Sequence, residues 1–172
     1  GPIGLLCIKM AAIMGASDIV VVGTDGDDGR MEIAKKLGAT MTINSSQQDP
    51  VPVIMAMRDG YGADLVVDAA GFSPTLKLSL DVVRPGGQIN KIGWGPGPVG
   101  FSLDQLISKA AALQGTFSHN WDVWEKCLVL MGERTVDLTD IVTHELPLDQ
   151  WQKGFDLMET KEGLKIVLTP ID

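Results

Sequence analysis

Short runs of branched apolar residues alternate along the chain with segments whose apolar positions recur every three or four residues, and glycine or proline marks nearly every boundary. That alternation predicts βαβ units. Ile3 to Met14 reads as a helix with Pro2 at its first position and Gly15 as its stop, followed by a strand from Ile19 to Val22. Arg30 to Leu37 is a second helix, stopped by Gly38, and Met41 to Ile43 a second strand. A polar loop then leads to a helix opened by Asp49 and Pro50 and ended near Gly60. Leu65 to Val67 is a buried strand. Ser73 is the expected N-cap of a helix with Leu76, Leu80 and Val83 on one face, and Arg84-Pro85-Gly86-Gly87 turns the chain into a strand from Gln88 to Ile92. Gly93 to Gly100 is too rich in glycine and proline for a regular element. Leu103 to Ser108, Ala112 to Thr116 and Val123 to Met131 complete the series as helix, strand and helix.

All-apolar strands between helices belong to a parallel sheet covered on both faces, so the expected fold class is α/β, doubly wound. After Thr139 the pattern changes. Thr143 to Leu146 alternates like an edge strand, Asp149 to Thr160 is an amphipathic helix, and Lys165 to Leu168 is a last short strand. This tail reads as part of a different assembly.

Composition narrows the function. A chain of 172 residues with 45% apolar residues suits one domain with a full core. Its 22 acidic and 14 basic residues give a net charge of −8, which leaves no basic face for nucleic acid or an anionic membrane and points to a small-molecule ligand. No apolar run approaches the roughly 18 to 20 residues that cross a bilayer, and no leader pattern opens the chain, so a soluble cytoplasmic protein is expected. Cys7 and Cys127 stand apart in apolar surroundings and read as buried thiols of a reducing compartment, not as metal ligands.

The candidate chemistry lies at strand ends. Gly1-Pro2-Ile3-Gly4 runs directly into a helix and matches the last two glycines of a G-x-G-x-x-G fingerprint, whose helix N-terminus receives a pyrophosphate. Asp25 follows the next strand at about the 20-residue interval of a ribose-binding acid, and its carboxylate would repel a 2′-phosphate, favouring NAD over NADP. Arg30 lies near enough to serve a phosphate instead. Within Thr24-Asp25-Gly26-Asp27-Asp28 the acids equally suit a turn or a cap, and with a longer strand the Thr24 hydroxyl would substitute for Asp25. Ala69, Ala70 and Gly71 follow one later strand and would admit a flat ring; Ile92, Gly93 and Trp94 follow another. Ordinary turn chemistry is the competing account of both, and packing that of Trp94.

Six segments occur together in a specific order: Gly-Pro-Ile-Gly-Leu-Leu at the start, Ala-Lys-Lys-Leu-Gly-Ala at 34 to 39, Gly-Ala-Asp-Leu-Val-Val-Asp-Ala-Ala-Gly at 62 to 71, Arg-Pro-Gly-Gly at 84 to 87, Ile-Val-Thr-His at 141 to 144 and Leu-Lys-Ile-Val-Leu at 164 to 168. The chain thereby resembles the C-terminal half of the zinc-containing medium-chain alcohol dehydrogenases, closest in style to the sorbitol, polyol and threonine dehydrogenase branch. The resemblance implies a Rossmann-type NAD-binding domain over residues 1–138 and a segment over 139–172 that returns to the catalytic domain. It implies pyrophosphate contacts at Gly1, Pro2, Ile3 and Gly4, ribose contacts at Asp25 and Arg30, and a cofactor cleft lined by Ala69, Ala70 and Gly71. Ile92, Gly93 and Trp94, with Gly115, Thr116 and Phe117, match strand ends that meet the nicotinamide. In the intact parent, hydride would pass between an alcohol or polyol and NAD while zinc polarises the substrate oxygen, and the enzyme would be a homo-oligomer.

The family's zinc ligands and proton relay lie in an N-terminal half that this chain lacks, so no catalytic or metal residue is assigned within it. His119 and His144 are too isolated to form a substitute site. The family's first β-strand is also missing, which implies an N-terminally truncated chain, inactive alone, with two strand edges left open. Two other readings stand beside this one: a non-catalytic fragment that binds nucleotide or self-associates, and a zinc-independent NADPH reductase of the quinone oxidoreductase type. A methyltransferase of related fold fits the glycine pattern least.

Overall fold

The structure is a computed structural model that describes every residue except Arg58, Pro96 and Asp172. These three fall near the end of the third expected helix, within the irregular 93–100 stretch and at the end of the tail, and those points lie outside the described residues. In chain order the elements are α1 (Pro2–Ile13), β1 (Val20–Gly23), α2 (Asp28–Lys36), β2 (Met41–Asn44), α3 (Pro50–Ala56), β3 (Ala63–Asp68), α4 (Ser73–Val82) and β4 (Val83–Lys91). They continue with α5 (Asp104–Ser108), β5 (Ala112–Gly115), α6 (Trp121–Gly132), β6 (Val142–Pro147), a single 3₁₀ turn at 148–150, α7 (Trp151–Glu159) and β7 (Lys165–Thr169).

Sequence dictates most of the boundaries. Pro2 opens α1, and the helix closes in a Schellman motif: Gly15, at φ +86°, donates its N–H to Ala12 and Ala16 donates to Ala11. Gly38 and Ala39 close α2 in the same way, donating to Lys35 and Ala34. The Asp49 side chain caps α3 by accepting from the Val51 N–H, and Asn120 caps α6 by accepting from the Val123 N–H, so that α6 starts at Trp121, two residues before its expected start. Ser73 departs from expectation. The cap position of α4 is Phe72, and the Ser73 hydroxyl, already inside the helix, donates to the Val99 carbonyl instead.

The chain forms two compact units, residues 1–42 with 119–172, and residues 43–118. In the first unit, Leu5 and Ile8 of α1, Ala34 of α2 and Ile19, Leu37, Ile141 and Leu164 form one buried cluster. The tail therefore contributes two core residues to the unit that holds α1, each buried side chain contributing roughly 1.5–3 kcal/mol. β6 and β7 pair in parallel as a two-stranded sheet, and β1 pairs with β2.

The second unit is built on the parallel sheet β3-β4-β5. Leu76 and Leu80 of α4 pack with Val83 and Ile89 of β4 as its core. The Arg84 to Gly87 turn is an excursion within β4: the register with β3 jumps from Ala63↔Val83 to Leu65↔Gln88. The expected burial of the strand Leu65 to Val67 needs correction. Leu65 and Val67 of β3 are exposed, and β5 is exposed along its length. Among the thiols, Cys7 is half-buried and burial pushes its pKa up, while Cys127 is exposed on α6, contrary to its expected burial. No described helix is long and apolar enough to cross a membrane.

Candidate functional site

Within the first unit, the N-terminus of α1 and the loop after β1 form one polar locality. The first N–H groups of α1 have no intrahelical partner, since Leu5 makes the first helical bond, to the Gly1 carbonyl. Arg30, Asp27 and Lys161 all lie within electrostatic range of residue 1 at this end of α1. Ile3 is exposed at this end, while Pro2 and Gly4 are half-buried.

Asp27, which sequence reasoning passed over as a turn former, organises the loop. Its carboxylate accepts from the Thr24 N–H at 3.0 Å, the Thr24 hydroxyl at 3.0 Å, Arg30 Nη1 at 3.3 Å and Lys161 Nζ at 3.2 Å. Burial alone would push this carboxyl up, but the Thr24 N–H, Lys161 and the Thr24 hydroxyl together hold it below the usual carboxylate range. The arrangement leaves Asp25 exposed at the turn. It also commits one arm of the Arg30 guanidinium, whose buried Nε has no hydrogen-bond partner among the described residues. Lys161 reaches Asp27 from the tail, from a left-handed backbone position at φ +63°.

Within the second unit, the carboxyl ends of β3, β4 and β5 meet, bringing Ala69, Ala70 and Gly71 together with Ile92, Gly93 and Trp94, and with Thr116 and Phe117. The parallel register supplies the reason: Asp68 pairs with Lys91, and Lys91 with Gly115, so all three strands end at one level. Ile92 and Gly93 both donate N–H to the Asp68 carbonyl, and Thr116 donates to that of Lys91. Gly71 and Gly93 approach backbone to backbone. A Cβ on Gly71 would lie 2.4 Å from the Gly93 carbonyl carbon, and one on Gly93 would lie 2.3 Å from the Gly71 nitrogen. Only glycine permits that contact, and Gly71 also sits at φ +83°. Trp94 and Phe117 stack edge to face with centroids 5.9 Å apart, 84% and 83% exposed, so Trp94 is no core residue. A Cβ on Gly115 would meet open space.

The histidines lie apart: His119 stands edge-on to Trp124, and His144 Nδ1 lies 3.0 Å from the Thr143 hydroxyl. Among the described residues no three His, Cys, Asp or Glu side chains group as a metal site.

The family model of the zinc-binding dehydrogenases matches residues 2–133. The chain belongs to the zinc-type medium-chain alcohol dehydrogenases. It is 36% identical over 172 residues to an L-threonine 3-dehydrogenase of Bacillus velezensis, a match covering 99% of this chain and 49% of that protein. A sorbitol dehydrogenase of Halalkalibacterium halodurans is 32% identical over 173 residues, covering 100% of this chain and 50% of the relative. Among solved structures, an alcohol dehydrogenase from Thermus sp. ATN1 superposes with a TM-score of 0.90 at 32% identity, over 99% of this chain and 49% of that one. This member of the dehydrogenase family thus spans about half the length of the curated relatives it matches. Its α/β fold with parallel strands is that of their shared structures.

Proposed function

We propose that this chain is the NAD(H)-binding part of a zinc-dependent alcohol or polyol dehydrogenase. Residues 1–138 serve as its nucleotide domain and residues 139–172 as the segment returning to the catalytic domain. The observation that carries the reading is the polar locality of the first unit, where the unpaired N–H groups of α1 share a neighbourhood with Arg30 and an exposed Asp25 follows β1. A helix N-terminus favours pyrophosphate, and a carboxylate after the next strand accepts from ribose hydroxyls.

Gly1, Pro2, Ile3 and Gly4 hold the pyrophosphate in this proposal, and Asp25 with Arg30 holds the adenosine ribose. Arg30 is already engaged by Asp27 at 3.3 Å, which reduces its availability to a 2′-phosphate and supports NAD over NADP. In the second unit Ala69, Ala70 and Gly71, with Ile92, Gly93, Trp94, Thr116 and Phe117, orient the nicotinamide ring, which when bound supplies the hydride acceptor. No three His, Cys, Asp or Glu side chains among the described residues group to hold zinc, and the role proposed for these residues is to bind and orient cofactor. Zinc, the alcohol or polyol, cytoplasmic residence and homo-oligomeric assembly belong in this proposal to the whole enzyme.

Isothermal titration of the chain with NADH, NADPH and the Asp25→Ala variant tests the reading. NADH is expected to bind saturably and NADPH more weakly. Asp25→Ala should weaken NADH about tenfold or more, the loss of charge-assisted hydrogen bonds costing roughly 1.5–3 kcal/mol. Failure of NADH to bind the unaltered chain would overturn the cofactor reading, and unchanged affinity in the variant would remove Asp25 from the site.

A further inference from the structure

Asp68 ends β3 and is 3% exposed, one of two buried polar residues in the described structure. Everything around it is arranged about its two ends. Its backbone carbonyl accepts the N–H groups of Ile92 at 2.9 Å and Gly93 at 2.8 Å, extending the β3–β4 pairing past the last register pair. Its side-chain Oδ1 accepts from the Ala70 N–H at 3.2 Å, the Gly71 N–H at 2.9 Å and the Thr75 hydroxyl at 2.9 Å. One residue therefore ties the loop after β3, the loop after β4 and the first turn of α4.

The other oxygen behaves differently. Oδ2 is buried with no hydrogen-bond partner among the described residues, and its one compensating charge is Lys91 Nζ at 3.7 Å, beyond hydrogen-bond reach. The Lys91 ammonium is committed elsewhere, donating to the Gly93 carbonyl at 2.7 Å. An incompletely paired buried carboxylate is costly, and a turn alone would need only the Oδ1 acceptor, which an asparagine also carries. What an asparagine would not supply is the negative charge that keeps the Lys91 ammonium at this depth. Through Lys91 that charge fixes the orientation of the Gly93 carbonyl, in the peptide leading to Trp94. Gly71 and Gly93 touch backbone to backbone, so the two loops have no side chains between them to absorb a shift.

We propose that Asp68, acting through Lys91, is a positioning residue that holds the loops after β3 and β4 in the one arrangement that receives the nicotinamide ring. The proposal rests on the cofactor reading above and deepens it: Asp68 touches no cofactor and sets affinity for the ring end alone.

The test compares NADH with ADP-ribose, which shares the adenosine and pyrophosphate but lacks the nicotinamide, by titrating both into the unaltered chain, Asp68→Asn and Lys91→Met. Bound NADH is followed also by its nicotinamide fluorescence, and folding by thermal denaturation. Both variants are expected to raise the NADH dissociation constant about tenfold and to reduce the fluorescence change on binding, with ADP-ribose affinity kept within about twofold. The double variant should be no weaker than the worse single one, because the two side chains act as a unit. Equal weakening of both ligands would make Asp68 a general structural residue and overturn the proposal, as would unchanged NADH binding in Asp68→Asn. If the unaltered chain binds neither ligand, the cofactor reading fails first and takes this proposal with it. Binding of ADP-ribose without NADH would leave the adenosine half standing and overturn the ring-end assignment.

Discussion

Asp25 and Asp27 stand two residues apart in one acidic turn, yet the fold gives them opposite surroundings. Asp27 is drawn inward by Thr24, Arg30 and Lys161, and Asp25 stays exposed. Sequence spacing singles out Asp25 by its interval from the glycine turn; Asp27 has local partners in Thr24 and Arg30, each three positions away, but its link to Lys161, 134 positions away, has no local signal. The depressed pKa of Asp27 has a definite consequence for stability. A carboxyl whose folded pKa lies below its unfolded value contributes stability above the unfolded pKa, about 3.9, and loses that contribution as pH falls through the folded value. Urea titrations of the unaltered chain and Asp27→Asn should therefore differ most above about pH 4, and the pH-dependent part of the difference should vanish at lower pH. A difference that stays constant across that range would show that the carboxylate's charge contributes nothing. Asp68 was partly legible: Asp-Ala-Ala-Gly carries the signature of a side chain accepting from its own turn, but its link to Lys91 exists only through strand pairing.

At the scale of elements, helix ends were the most legible feature, because they are set by residues within a turn of each other. Gly15, Gly38 and Asp49 terminate or open helices where the sequence puts them. Ser73 shows the limit of that logic, since its hydroxyl finds Val99, 26 positions away, instead of the adjacent backbone. Three further long-range bonds, all from one lysine, close α4. Lys109, just past α5, donates Nζ to the carbonyls of Leu80, Asp81 and Val83 at 2.6, 2.9 and 2.7 Å, satisfying acceptors at the C-terminus of α4 and beyond. Burial lowers the Lys109 pKa, and Asp81 opposes that shift. Lys109→Met keeps the aliphatic stem and removes the donors; it is expected to cost about 2 kcal/mol of unfolding free energy, read as a lower urea midpoint at unchanged slope. An unchanged midpoint would mean that water replaces the lysine at these carbonyls without loss.

For the whole chain, membership of the zinc-type alcohol dehydrogenases and the ligand chemistry of its residues lead to one further expectation. The proposed function assigns cofactor binding to this chain and zinc chemistry to the whole enzyme. The purified chain mixed with NAD and an alcohol or polyol should accordingly produce no NADH absorbance, while still binding NADH by titration; turnover would overturn the proposed division between cofactor binding and zinc chemistry. The alternation of apolar runs and helical periods determined the α/β class, the element order and the parallel strands by itself, because secondary-structure period and turn chemistry are local properties of neighbouring residues. The ordered motifs determined the family. Tertiary structure alone decided which acid turns inward, which strand faces stay open and how three strand ends converge on Gly71, Gly93 and Thr116. Those outcomes depend on register and packing between residues distant in sequence, as when Asp68 and Lys91 meet only because β3 and β4 pair at that level.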